Sequence, residues 1–146
     1  MAQTELPFCV IACKRDVTVR EVRNLLSVAF EGGACYWLAL KGRYFGPGIA
    51  YEDFKEGGRF QPQNDYFHPD ELIPTVDGCG LLIALSDEDE EEERVFDLNV
   101  KALRNGLQRM ADTQPRHWRD FVEENEDAGT GDIFLQLCLF NEVIFG

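Results

Sequence analysis

At 146 residues, with 45% apolar and 12% aromatic side chains, the chain has the size and composition of one domain that buries its own core, which excludes extended disorder. Fourteen Lys and Arg against 27 Asp and Glu leave a formal net charge of −13, which repels phosphate backbones and anionic membranes and attracts basic protein surfaces. No run approaches the roughly 18 apolar residues of a membrane span, and no basic patch leads into a long apolar stretch, so a soluble, non-secreted protein is expected.

The five cysteines (Cys9, Cys13, Cys35, Cys79 and Cys138) form no CxxC pair and are odd in number. They have no histidine at zinc spacing, and each sits among apolar neighbours. Buried free thiols in a reducing cytoplasm are the expectation, with no metal and no cofactor.

In chain order, residues 6–13 read as a first apolar strand. Thr18 followed by Glu21 is a capping-box signature, and Val22, Leu25, Leu26, Ala29 and Phe30 recur at helical spacing. The spacing predicts a helix over about 19–31, stopped by Gly32-Gly33 in a left-handed closure. Residues 34–40 read as an aromatic-rich strand. The Gly-rich stretch from Lys41 to about Gly58 reads as loop, and 59–75, with three more prolines, as an irregular excursion with at most one short strand.

Residues 80–86 and 94–98 suit a β-hairpin with a long charged connection. Asn99 caps a helix whose buried face carries Val100, Leu103, Leu107 and Met110. Gly106 within it costs about 1 kcal/mol relative to Ala, so a close neighbour is expected there. Pro115 opens a further helix, with Trp118, Phe121 and Val122 on its buried side. The apolar run 132–145 is expected to be helical to about Phe140, capped from Thr130 and Asp132, with Asn141 ending it in the left-handed conformation. These elements describe a single α+β domain: a small antiparallel sheet of three or four strands, including the hairpin with its long acidic loop, packed with about four helices.

Three blocks, AFEGGACYW at 29–37, MADTQPRHWRDF at 110–121 and GDIFLQLCLFNEVIFG at 131–146, resemble a widespread family of small acidic proteins encoded by bacteriophages and prophages. The resembling pattern is a helix ending in an FEGG turn before a YW strand, an aliphatic hairpin, a PRHF-DF-type segment and a D-FLQ-LFGE-V-G ending. Asn141 stands where that ending has Gly, and Trp118 where the pattern has Phe. The family carries no settled activity, so the resemblance implies context only: a phage product made in a bacterial cytoplasm and dispensable for building the virion.

Asp87, Glu88, Asp89, Glu90, Glu91, Glu92 and Glu93 are seven consecutive carboxylates, and without them the formal charge is about −6. Taken alone, the run is a solvated hairpin tip. As a site, it is a row of anions that imitates phosphate spacing and enters a basic groove. It lacks the glycine turn and ordered spacing of a calcium loop.

On a helix begun at Pro115, Asp120, Glu123, Glu124 and Asp127 fall near one face, with Glu126 beside them. Tyr36 and Trp37 are assigned to opposite faces of a strand, so that one of them lines a pocket or interface. His68 and His117 assemble into no nucleophilic or acid–base set. The GRYFGPG stretch at 42–48 lacks the ending of a phosphate-binding loop.

The leading expectation is a non-enzymatic, anti-CRISPR-like inhibitor. It binds a basic host bacterial protein by nucleic-acid mimicry and makes no direct contact with nucleic acid or membrane. The alternative is a sponge that sequesters a nucleotide immune signal in a pocket with aromatics and arginines drawn from Arg43, Tyr44, Arg59, Arg104 or Arg109, at the subunit interface of a homodimer. An enzyme ranks third, because abundant carboxylates are not an arrangement.

Overall fold

The computed structural model describes residues 8, 15–34, 36–45, 52–53, 73–75, 77–85 and 94–146. Among these residues, four helices, α1 (Val19–Val28), α2 (Val100–Thr113), α3 (Pro115–Val122) and α4 (Ala128–Phe140), pack with a sheet of four strands. The strands are β1 (Leu38–Phe45), β2 (Glu52–Asp53), β3 (Cys79–Leu85) and β4 (Val95–Asn99), all antiparallel in the order β2-β1-β3-β4. The expected α+β class and the 80–98 hairpin are therefore present. No helix among the described residues is long and apolar enough to cross a membrane. The acidic run at 87–93, the expected first strand at 6–13 (apart from Phe8), Cys9, Cys13, Cys35, Arg59 and His68 lie outside the described residues.

Local chemistry sets most helix starts. Thr18 Oγ1 accepts from the Glu21 backbone N–H at 3.2 Å, while Glu21 Oε1 accepts from the Thr18 N–H at 3.0 Å, closing the capping box. Asn99 Oδ1 accepts from the Ala102 N–H at 2.9 Å and starts α2. α3 opens on Pro115 at its first turn, where the missing N–H costs nothing.

The end of α1 differs from expectation. The helix passes into a five-residue π-turn, Ala29–Gly33, and Gly32 is extended (φ 179°) rather than left-handed. Gly33 has a different justification: a Cβ there would sit 2.1 Å from the Ala128 carbonyl oxygen. The glycine permits contact between the π-turn and the start of α4. The turn also delays β1 to Leu38, so Ala34, Tyr36 and Trp37 are not strand. β1 in turn runs on to Phe45, inside the stretch read as loop, with a register shift between Leu40 and Gly42.

α4 is buried on nearly all sides, from Thr130 to Cys138, and packs on α1, the π-turn, α2, α3 and β4. Its cap is Asp127, whose Oδ1 accepts from the Thr130 N–H at 2.9 Å. Thr130 and Asp132, expected as caps, lie inside the helix and are buried. Asn141 does end α4 at φ 64°, and Asn105 Nδ2 donates to its side-chain oxygen at 3.0 Å. Asn is tolerated in this conformation.

Leu81, Ile83 and Leu85 alternate on one face of β3 and join Leu98, Phe30, Trp37 and Phe134 in the core. Gly106 lies against Cys138, as its place within a helix implied. On α3, Phe121 is buried and Trp118 partly so, but Val122 is exposed, contrary to expectation. Cys79 and Cys138 are buried free thiols, and burial pushes the Cys138 thiol well above the ordinary range.

The caps make stability pH-dependent. The Thr18 backbone N–H, and then Arg15, hold Glu21 below its ordinary 4.5. The Thr130 backbone N–H holds Asp127 below its usual 3.8. Because both folded values lie below the unfolded ones, the stabilisation is complete above about pH 4.5 and is lost as pH falls through the lowered values. Calorimetric Tm is expected to stay level from about pH 7 to 5 and to drop on further acidification. The Glu21→Gln variant should show a shallower drop.

Candidate functional site

The three sequence blocks meet around the first half of α4. From the turn before β1, the Tyr36 hydroxyl donates to Asp132 Oδ2 and Trp37 Nε1 donates to Asp132 Oδ1, each at 2.7 Å. Gln136, one turn further along α4, donates to the same Oδ1 at 2.9 Å. The Gln136 amide oxygen accepts from the Ile144 and Phe145 N–H groups, both at 2.8 Å, and its Nε2 donates to the Phe145 carbonyl at 3.2 Å. In this way two buried polar side chains dock the aromatic turn and the C-terminal segment onto one helix. Phe145 then stacks on Trp37, with centroids 5.5 Å apart and planes 11° apart.

Tyr36 and Trp37 are therefore not divided between two strand faces. Both point to one carboxylate, because the turn geometry does not alternate. Trp37 is 2% exposed and belongs to the core, whereas Tyr36 is 55% exposed with its hydroxyl tied inward. Burial and the Asp132 hydrogen bond push the Tyr36 phenol up to about 12. From the third block's neighbour α3, His117 Nδ1 lies 3.1 Å from the buried Thr130 hydroxyl, which also donates to Asp127 at 3.2 Å. His117 is thus a fold contact. Asp132, Gln136 and Thr130 carry the network, and the sequence marked none of them as more than capping or apolar-run residues.

The second acidic cluster is not one helix face. α3 ends at Val122, and Glu124 turns left-handed at φ 58°, closed by the Asn125 N–H on the Asp120 carbonyl at 2.7 Å. Asp127 is committed to capping α4. Glu123 and Glu124 remain exposed, with Glu124 3.9 Å from the exposed Arg20, a pair worth little. What the structure leaves is a corner of carboxylates between α3 and α4. Glu126 Oε2 there is buried without a hydrogen-bond partner among the described residues.

The acidic run joins the sheet through Leu85 and Arg94. The register pairs Leu85 with Leu38 and Ala84 with Val95, so the connection is attached at the end of the sheet where β1 begins.

A groove runs between the 15–18 segment, α2 and α3. Its wider part, about 610 Å³, is lined by Arg15, Val17, Arg104, Leu107, Trp118 and Val122 among others. A narrower hollow of about 180 Å³ shares Val17, Arg104 and Leu107 with it and continues towards Val22 and Leu103. Of the arginines considered for a pocket, Arg104 lies here. Arg109 instead donates to the Asn141 carbonyl at 3.2 Å, and the Arg43 side chain is not among the described groups. Among the described residues, no three His, Cys, Asp or Glu are grouped to hold a metal ion.

Comparison with protein-family models, curated proteins and solved structures finds no match to this chain.

Proposed function

We propose that this chain is a phage-encoded, non-enzymatic binding protein that occupies the nucleic-acid groove of a basic host protein in the bacterial cytoplasm, in the manner of an anti-CRISPR nucleic-acid mimic. The observation that carries the reading is the segregation of its charge. Residues 15–28 and 100–122, which form α1, α2 and α3 with their flanks, hold eight Lys and Arg against four Asp and Glu. The rest of the chain holds six against 23. Seven of those 23 are consecutive at 87–93, tethered at one end of the sheet. A concentration of anionic charge of this kind competes with phosphate for Lys and Arg, and it steers encounter with a basic partner. The likeness of three blocks to phage proteins supplies the biological context.

Affinity capture from a bacterial lysate tests the proposal. The expected result is recovery of a nucleic-acid-binding protein at low salt, progressive loss as salt rises, and displacement by added duplex DNA or RNA. Recovery that neither salt nor nucleic acid weakens contradicts it.

A further inference from the structure

From the groove beside α2, we infer a binding site for a small aromatic anion of the aryl-phosphate or mononucleotide class. This inference stands apart from the acidic-surface reading and draws on a different face of the molecule. Arg104, Leu107, Gln108 and Ala111 recur at i, i+3, i+4 and i+7, so they form one stripe along α2. Val100 and Leu103 extend that stripe into the narrower hollow. The wider part has the volume of an ordinary small-ligand site.

Its lining supplies the two contacts that such a ligand requires. Trp118 is half-buried, packs against Phe121 (centroids 5.3 Å apart) and lines the groove, where it supplies an aromatic side chain for a ligand ring to pack on. Arg104 is exposed, and among the described residues it has no carboxylate partner, so its guanidinium is available to an anion. Arg15 is already held: it bonds Glu21 at 2.6 Å and lies over the Phe121 ring at 5.2 Å, so it forms a fixed wall. Asp16 also lines the groove and opposes a ligand of high charge, which favours one phosphate over several. The field is permissive here despite the total charge, because the surrounding helices carry the local excess of Lys and Arg. Val17, Leu107 and Val122 give the ring an apolar floor.

The test is titration of the protein with AMP and with phenyl phosphate, followed by calorimetry and by tryptophan fluorescence. Trp37 is buried, so quenching reports Trp118. Inorganic phosphate at equal concentration is the control. The expected result is saturable binding with a Kd of about 1 mM or tighter for both aryl phosphates, and none for inorganic phosphate. Arg104→Ala should weaken binding about tenfold, the effect of losing one charge-assisted hydrogen bond, whereas Arg104→Lys should weaken it less. Since Arg104 is exposed, neither variant should disturb folding, and unchanged far-UV circular dichroism checks this. Trp118→Phe should weaken binding and abolish the quench. The inference is overturned by equal binding of inorganic phosphate, by an Arg104→Ala variant that binds AMP as tightly as the parent, or by no saturation with any aryl phosphate.

Discussion

Replacing Asp132 by Ala is expected to lower folding stability by about 3 kcal/mol, the largest effect of any single polar substitution in the described structure. Burying a carboxylate is itself costly, and removing one can help when its surroundings are apolar. Here the surroundings are three donors aimed inward: the Tyr36 hydroxyl, Trp37 Nε1 and Gln136 Nε2. After truncation, Tyr36 reaches water from its exposed position and Gln136 keeps the Phe145 carbonyl. Trp37 Nε1 has neither option, and an orphaned buried donor costs about 1–3 kcal/mol before the cavity is counted. Two controls separate this account from a general loss of packing. Asp132→Asn retains an acceptor and should lose about half as much. Adding Trp37→Phe to Asp132→Ala removes the orphan, so the pair should show a coupling of roughly 1–2 kcal/mol in urea unfolding. A loss below about 1 kcal/mol for Asp132→Ala would mean that the network does not hold the turn.

Gly106→Ala is expected to destabilise the protein by about 2 kcal/mol, although helix propensity alone predicts a gain of about 1 kcal/mol. The sign is decided at the contact with α4. A Cβ at 106 would lie 2.2 Å from Cys138 Sγ and 3.1 Å from the Cys138 backbone nitrogen. The sulfur has little freedom in a fully packed helix, and the backbone has none without α2 moving away from α4. The Cys138→Ala variant removes the nearest atom, so Gly106→Ala should cost less in that background, with residual strain from the backbone contact. A stabilising Gly106→Ala in the parent protein, read from the urea midpoint at constant slope, would show that α2 and α4 are less closely packed than described.

Where the chemistry is local, the fold was legible from residue order. Thr18 with Glu21, Asn99, Pro115 and Asn141 each act on backbone groups within four residues, so their roles follow from spacing. The hairpin likewise follows from two aliphatic runs around a charged connection. The misread glycines depend on partners far along the chain. Gly33 looks like a helix stop, but it exists for the Ala128 carbonyl. Gly131 lets α4 approach Ala29, where a Cβ would fall 2.7 Å from the backbone nitrogen. Two glycines in the first turns of α4 hid its true start and shifted the expected cap from Asp127 to Thr130 and Asp132.

Strand alternation failed for Tyr36 and Trp37 because the π-turn postpones β1 by four residues. The supposed acidic helix face failed because Glu124 adopts the left-handed conformation without a glycine to announce it. Of the candidate sites, the charge excess was fully legible, since it is a count. The groove was not, because Arg15, Arg104 and Trp118 are brought together only by the packing of α2 and α3 against the 15–18 segment. Nothing in their spacing connects them.

The claim that the carboxylate run is the binding surface is tested most directly by the affinity of the captured partner, purified, for two forms of this protein. One is the parent, and the other has Asp87, Glu88, Asp89, Glu90, Glu91, Glu92 and Glu93 replaced by Asn or Gln. The parent is expected to bind with an affinity that falls steeply with salt, on the order of a hundredfold between 50 and 200 mM. The neutralised form is expected to bind far more weakly and with a shallower salt dependence. Equal affinity and equal salt dependence for the two forms would contradict the account.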